Sequence, residues 1–322
     1  MRCIFRKRVT KAALALLIVT STVVACSKEK RSDKKGELMQ DFIMDLSGYA
    51  RSVDPDFIII PQNGVELAFK ELDPENGLNG SFLNAIDGFG VEELFYNGAL
   101  SVDDYRLNMC RKIREQRSVL VADYLNDAGS EADAVQRSLG EGFICFPRKP
   151  TNYDYLEIPQ QVINENTLDV NKLSDAKNYL YLISSNAFST RQDMLAAIAA
   201  TNFDVVIIDA FFGDDLWTAA ETAQMKTKAN GGKRLVISYM SVGSAEKYRY
   251  YWKEDWKLHK PRWLKKAYEG YEDEIWVKYW KKEWKEIIFG NNDSYTKKIL
   301  DAGFDGTYLD NVEAFYFLYF DD

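Results

Sequence analysis

Eight short apolar runs, at 56–60, 85–89, 119–122, 179–183, 204–208, 234–239, 275–278 and 306–309, punctuate this chain, and most are separated by stretches of helical period. Runs that are apolar at successive positions bury both faces, as the strands of a parallel sheet do between covering helices. Eight such strands alternating with helices favour a closed (β/α)8 TIM barrel over a doubly wound open sheet, because closure at eight removes both edges. The predicted fold class is therefore α/β, one barrel over residues 38–322.

The helical stretches carry their own start and stop signals. Met39, Phe42, Ile43 and Leu46 recur at helical spacing ahead of the first strand. Thr190 to Asp193 and Thr218 to Glu221 read as N-terminal boxes, and Gly231-Gly232 stops the second of these helices. Residues 147–178 hold proline, asparagine and little periodicity, and read as a long connection around the outside of the fold.

The first 25 residues have the layout of an export signal: Arg2, Arg6, Lys7 and Arg8, an apolar run from Ala12 to Val19, then Val23-Val24-Ala25-Cys26. That box resembles a bacterial lipoprotein processing site, which makes Cys26 the expected lipidated residue. Residues 26–37, polar and charged, read as a flexible tether. The expectation is an exported protein, monomeric, held on the cell envelope by its lipid, with Ser27 leaning toward the outer membrane. Removing residues 1–25 takes away five basic groups and no acidic one, so the formal charge falls from −8 to −13. A nucleic-acid partner needs the opposite sign. His259 is the sole histidine, which excludes a zinc site built on histidine clusters; no metal and no cofactor are expected. Cys110 and Cys145 do not make a disulfide framework, and their pairing is left open.

Candidate site residues lie where apolar runs end, since side chains there are rigidly held and still face a ligand. Asp310 follows 306–309, Asp209 follows 204–208 and Asp123 follows 119–122. Glu66, Glu92, Glu93 and Glu246 stand in the same relation to other runs. For each aspartate the competing assignment is a helix cap, and for Glu246 an ion pair with Arg249 or Lys247. Tyr181, Tyr239, Tyr250, Trp252, Tyr279 and Trp280 offer aromatic faces to a ligand, or packing between strands and helices. Gln62 and Asn63 offer amide donors, or a turn at Asn63-Gly64.

Longer strings carry a resemblance. Phe203 to Phe211, Asn230 to Gly243 with Ser241, Ala245 to Trp252 with Arg249, Val277 to Trp280 with Lys278, and Gly303 to Asp310 running on to Asn311 are similar to a family of extracellular glycoside hydrolases related to endo-α-1,4-polygalactosaminidases. Ile60 to Glu66, Ala85 to Tyr96 and Asp123-Tyr124 match it too. The resemblance implies a carbohydrate substrate, without cofactor, and two carboxyls for hydrolysis. Asp310 and Asp209 are the favoured pair and Glu246 the next candidate. Sugar contacts then fall to Tyr181, Tyr239, Ser241, Arg249, Tyr250, Trp252, Lys278, Asn311, Gln62, Asn63, Glu66, Glu93 and Asp123.

The order of the strings departs from the family, whose usual arrangement puts the block at 179–322 first and the block at 38–146 after it. The expectation is a circular permutant, with 147–178 as the new connection. Ser244 and Tyr308 also stand where the family's motifs have glutamate. A barrel that binds a glycan without cleaving it is the alternative function, and Tyr308 is the residue that argues for it.

Overall fold

The computed structural model describes residues 11–319, with side chains from Ser32 onward. The basic start of the chain, and the Cys26 side chain, lie outside the described residues. Helix α1 spans Lys11–Val53. Along it Met39, Phe42, Ile43, Leu46 and Ala50 form a fully buried stripe at the predicted spacing. The tether expected over 26–37 is helical here, part of α1. Its residue Ser32 is buried and donates to the Phe315 carbonyl at 3.2 Å, so packing against the last helical turn (Ala314–Phe317) holds this polar segment. Among the described residues no helix is long and apolar enough to cross a membrane.

Strands β1 (Ile58–Pro61), β2 (Gly88–Leu100), β3 (Ser118–Leu125), β4 (Ile144–Cys145), β5 (Tyr179–Leu182) and β6 (Val205–Asp209) are joined by Leu235–Ser241 and Gly306–Asp310. All eight run parallel in two sheets. The larger has the order β5, β6, Leu235–Ser241, Gly306–Asp310, β1; the smaller is β2, β3, β4. A bridge between Gln62 and Gly90 and the bond from Asp87 N to Ile59 O (2.9 Å) set β1 beside β2. The result is one succession of eight parallel strands from β5 round to β4. Among the described residues β4 and β5 share no ladder; the Phe146 and Tyr179 rings meet there, centroids 5.6 Å apart.

The count of eight is right, but one member is not. The run at 275–278 belongs to Glu274–Val277, which pairs antiparallel with Ser244–Glu246 and Leu264–Ala267 in a separate small sheet. Its Ile-Trp-Val core is apolar because that sheet packs over the main one, a burial that periodicity alone does not distinguish from a barrel strand. The place is taken by Ile144–Cys145, only two residues long.

Segment 147–178 is almost free of regular structure and does the work of a crossover helix. It leaves β4 where the strands end and returns to where β5 begins. There Asn166 and Asn178 donate to Asp204, and Lys177 N does so at 2.8 Å. Cys110 and Cys145 are buried free thiols, and burial pushes both up to about 12. The box at Thr218 and Glu221 forms reciprocally, and Gly231 turns the chain with φ 93°.

Candidate active site

The strand ends open into a cleft of about 650 Å³. Asp310 sits on its floor, half-buried, as the last residue of Gly306–Asp310. Tyr239, one strand over, donates its hydroxyl to Asp310 Oδ2 at 2.6 Å, and Asn311 N donates to Oδ1 at 2.7 Å. Among the described residues no cation pairs with this carboxyl. Burial, then the nearby Glu92 and Glu246, push Asp310 up to about 7 against the two hydrogen bonds.

Asp209 and Glu246 are held very differently. Arg249 forks onto Asp209 (2.8 and 2.6 Å) and also bonds Glu246 Oε2 at 2.7 Å. Asp209 Oδ1 accepts from Phe211 N as well. Glu246 is fully buried behind Arg249, with Tyr248 OH on its Oε1 at 2.6 Å. The ion pair foreseen as the competing role for Glu246 is thus present, and Asp209 faces the cleft with both oxygens engaged.

On the opposite wall Arg148 bonds Glu93 at 3.0 Å and lies 3.7 Å from Glu92. Asn63, in the left-handed region at φ 59°, is bonded to Glu92 twice: its Oδ1 accepts from Glu92 N, and its Nδ2 donates to the carboxylate. Tyr155 hydrogen-bonds Glu92 and stacks on Tyr181, centroids 3.9 Å apart. Tyr181 in turn donates to Gln62 Oε1 at 2.9 Å. Burial raises the Glu93 carboxyl, and Arg148 opposes it.

Of the residues singled out from sequence, Gln62, Asn63, Glu92, Glu93, Tyr181, Asp209, Tyr239, Arg249, Asp310 and Asn311 line this cleft. The others do not, each for a local reason. Asp123 is buried and accepts from the Phe95 and Tyr96 amides, fastening the irregular part of β2 to β3; burial pushes it up to about 6. Glu66 lies in a one-turn helix beside a separate cavity with Asp103 and Tyr105. Ser241 is buried behind Asn311, whose amide it accepts at 3.0 Å. Tyr250 stacks on Phe211, Trp252 meets Trp256 edge to face, and Lys278 N donates to Trp263 O. Tyr279 and Trp280 pack toward α1 at Lys35.

Sequence reasoning passed over Glu274 and Glu313. Both line the cleft without an ion pair among the described residues, and burial with neighbouring carboxyls pushes each up to about 8. Glu313 was visible three residues past Asp310; Glu274 was hidden because its strand was assigned to the main sheet. Tyr153 and Tyr155 were hidden inside what read as a connection. Tyr308 is fully buried under the cleft, its ring 5.2 Å from Tyr181 and its hydroxyl in the space a side chain at Gly90 would fill.

Comparison with known families and proteins bears on this geometry. Residues 171–321 match the model of Glycoside-hydrolase family GH114. That segment is similar to GH114. It brings Asp209, Arg249, Glu274, Asp310 and Glu313 to the cleft, with Glu246 behind Arg249, while the wall with Gln62, Asn63, Glu92 and Arg148 comes from outside the matched residues. The chain is 34% identical over 151 residues to an uncharacterised protein of Methanocaldococcus jannaschii, covering 47% of this chain and 41% of that one. It is 37% identical over 124 residues to an uncharacterised protein of Thermotoga maritima, covering 37% and 35%. An uncharacterised protein of Deinococcus radiodurans is 34% identical over 124 residues, covering 38% of each. The chain spans about two-fifths of the length of these curated relatives.

Proposed function

We propose that this chain hydrolyses glycosidic bonds in a polysaccharide containing galactosamine, with Asp310 as a reacting carboxyl. The observation that carries the reading is Asp310 itself: a carboxyl fixed at a strand end, open to a cleft and pushed up to about 7, where proton transfer near neutral pH is most effective. The GH114 match supports the reaction class. The galactosamine substrate is what the family resemblance implies, and the cleft is compatible with it: among the described residues Asp310, Glu274 and Glu313 have no cation of their own, and the ammonium groups of de-N-acetylated galactosamine would supply one. Tyr153, Tyr248 and Tyr271 on the rim offer stacking faces for the rings.

The test is incubation with α-1,4-galactosamine oligosaccharides, their N-acetylated forms and a neutral galactan, reading new reducing ends by chromatography and mass spectrometry. Release from the amine form first supports the reading. A glycan-binding protein without turnover is the second reading, favoured by Tyr308 filling the interior with a phenol where the resembling family has a carboxyl. Binding of these oligosaccharides with no cleavage of any would establish that reading instead.

Two further proposals accompany this one. The fold is a closed (β/α)8 barrel begun at a different strand: the eight-strand succession, Ile58–Pro61 lying beside Gly306–Asp310, and a family match confined to 171–321 all support it. A rearranged chain with 171–319 ahead of 38–146 should then fold and act like the original, and failure to fold would count against it. The N-terminal signal delivers the protein to the cell envelope with lipidated Cys26; mass spectrometry finding an unmodified Cys26 on the native protein would refute that.

A further inference from the structure

Resting on the hydrolase reading above, we propose that Glu274 is the second reacting carboxyl, the proton donor to the leaving glycosidic oxygen, with Asp310 as its basic partner. Glu274 opens the strand Glu274–Val277, and its register sets it opposite Glu246. Its carboxyl reaches the same cleft as Asp310. Its one hydrogen bond among the described residues comes from the Ser244 hydroxyl.

Among the described residues Glu313 stands outside the hydrogen-bond network that joins Glu274 to Asp310, and three other cleft-side carboxyls are already engaged. Asp209 and Glu246 share Arg249, whose guanidinium occupies oxygens of both. Glu92 is bonded by Asn63 and Tyr155 and flanked by Arg148. Asp310 accepts two hydrogen bonds, which favour its ionised form, whereas Glu274 accepts one. The groups facing Glu274 are Glu246 across the ladder, Asp310 across the cleft, Ser244, and Arg249 as the one cation whose field reaches it. Their balance leaves Glu274 at about 8 and Asp310 at about 7. The second hydrogen bond on Asp310, absent on Glu274, divides the two into base and acid.

In the reaction the Glu274 proton passes to the glycosidic oxygen as the C1–O bond breaks, and the bonding pair leaves with that oxygen. Water supplies the new C1–O bond, and its surplus proton ends on Asp310. Exchange with solvent returns a proton to Glu274, so the net change is one water consumed and two hydroxyls formed. The Ser241, Ser244 and Asn311 side chains, bonded at 2.8 to 3.1 Å, tie the two carboxyls into one network through Asn311 N.

The experiment compares two galactosamine oligosaccharides, one natural and one carrying a 4-nitrophenyl leaving group that departs without protonation. Glu274→Gln should lose about 10²–10³-fold on the natural substrate and less than about tenfold on the aryl one, and its pH profile should lose the basic limb. Ser244→Ala keeps the carboxyl but removes the bond that favours its charged form, so its basic limb should move to higher pH. If Glu274→Gln does not fold, the Ser244→Ala profile and a 13C NMR titration of the Glu274 carboxyl decide. Equal losses on both substrates, full turnover of the natural one, an unmoved basic limb in Ser244→Ala, or a Glu274 that ionises with ordinary glutamates overturns the assignment alone. A wild type that cleaves neither substrate overturns the hydrolase reading and this assignment together.

Discussion

The two ends of the parallel strands both carry acids held out of full contact with water, and they treat them differently. Where strands begin, Asp87, Asp204 and Asp305 each repeat one device. One oxygen accepts the amide of a neighbouring element, from Ile59, Lys177 and Val236 respectively, all at 2.8 Å. A cation closes the pair: Arg51 at 2.7 Å, Lys228 at 3.0 Å and Lys226 at 2.6 Å. In the cleft, Asp310 at its strand end, Glu274 at the start of the small sheet's strand and Glu313 after Asp310 have no such cation among the described residues, and burial raises all three. Gly306–Asp310 shows both treatments five residues apart, Asp305 locked and Asp310 not. The strand starts thus neutralise these three acids, whereas the cleft sets arginine-held carboxyls (Asp209, Glu93) beside unpaired ones, and the unpaired ones are where chemistry is available.

The largest expected effect separates those two residues. Asp310→Asn should cut turnover by about 10³-fold or more while the protein stays folded, whereas Asp305→Asn should leave turnover per folded molecule nearly unchanged and lower the melting temperature. Steady-state kinetics with circular-dichroism melts of both variants checks this, and a fully active Asp310→Asn removes that residue from the site. Next in size is Lys228→Met. Lys228 and Asp204 are both fully buried, so the change strands a carboxylate in the interior at a cost of about 3–5 kcal/mol. A denaturant midpoint equal to that of the parent would show that the lock contributes nothing.

Much of this was legible in the sequence because apolar strands buried on both faces announce themselves, and Asp209 and Asp310 follow theirs directly. The rest was not, for physical reasons. Ile144–Cys145 is too short to carry a pattern, and Glu274–Val277 has the composition of a main-sheet strand while packing in another sheet. Asp123 looked like Asp310 from sequence, since both end a strand. Only the irregular stretch of β2, turning its amides onto Asp123, makes one a fastening and the other a cleft residue. Arg249 decides the state of Asp209 across 40 positions of sequence, and spacing does not encode such contacts.

A smaller effect concerns Tyr239. Its hydroxyl on Asp310 favours the charged carboxylate, so Tyr239→Phe should raise the Asp310 value. The acid limb of the rate profile should then move to higher pH, with roughly a tenfold loss at neutrality. A tenfold loss with an unmoved limb would instead make Tyr239 a packing residue of the interior.

The smallest effect is on stability, and it tests whether the unpaired end is the costly one. Asp310, Glu274 and Glu313 hold protons up to about 7, 8 and 8 in the folded protein, while in an unfolded chain such groups ionise near ~4. Between those limits the folded state binds more protons than the unfolded one, so these groups make stability fall as pH rises. Their contribution is fully present below about 4 and lost once the pH has passed 8. The melting temperature should therefore drop from pH 5 to pH 8. Asp310→Asn should flatten that slope and be the more stable protein at pH 8, by ~1–2 kcal/mol. Asp305→Asn should keep the slope and lower the whole curve. Parallel curves for the parent and Asp310→Asn would mean that Asp310 is compensated in solution, and the contrast between the two strand ends would then rest on Glu274 and Glu313.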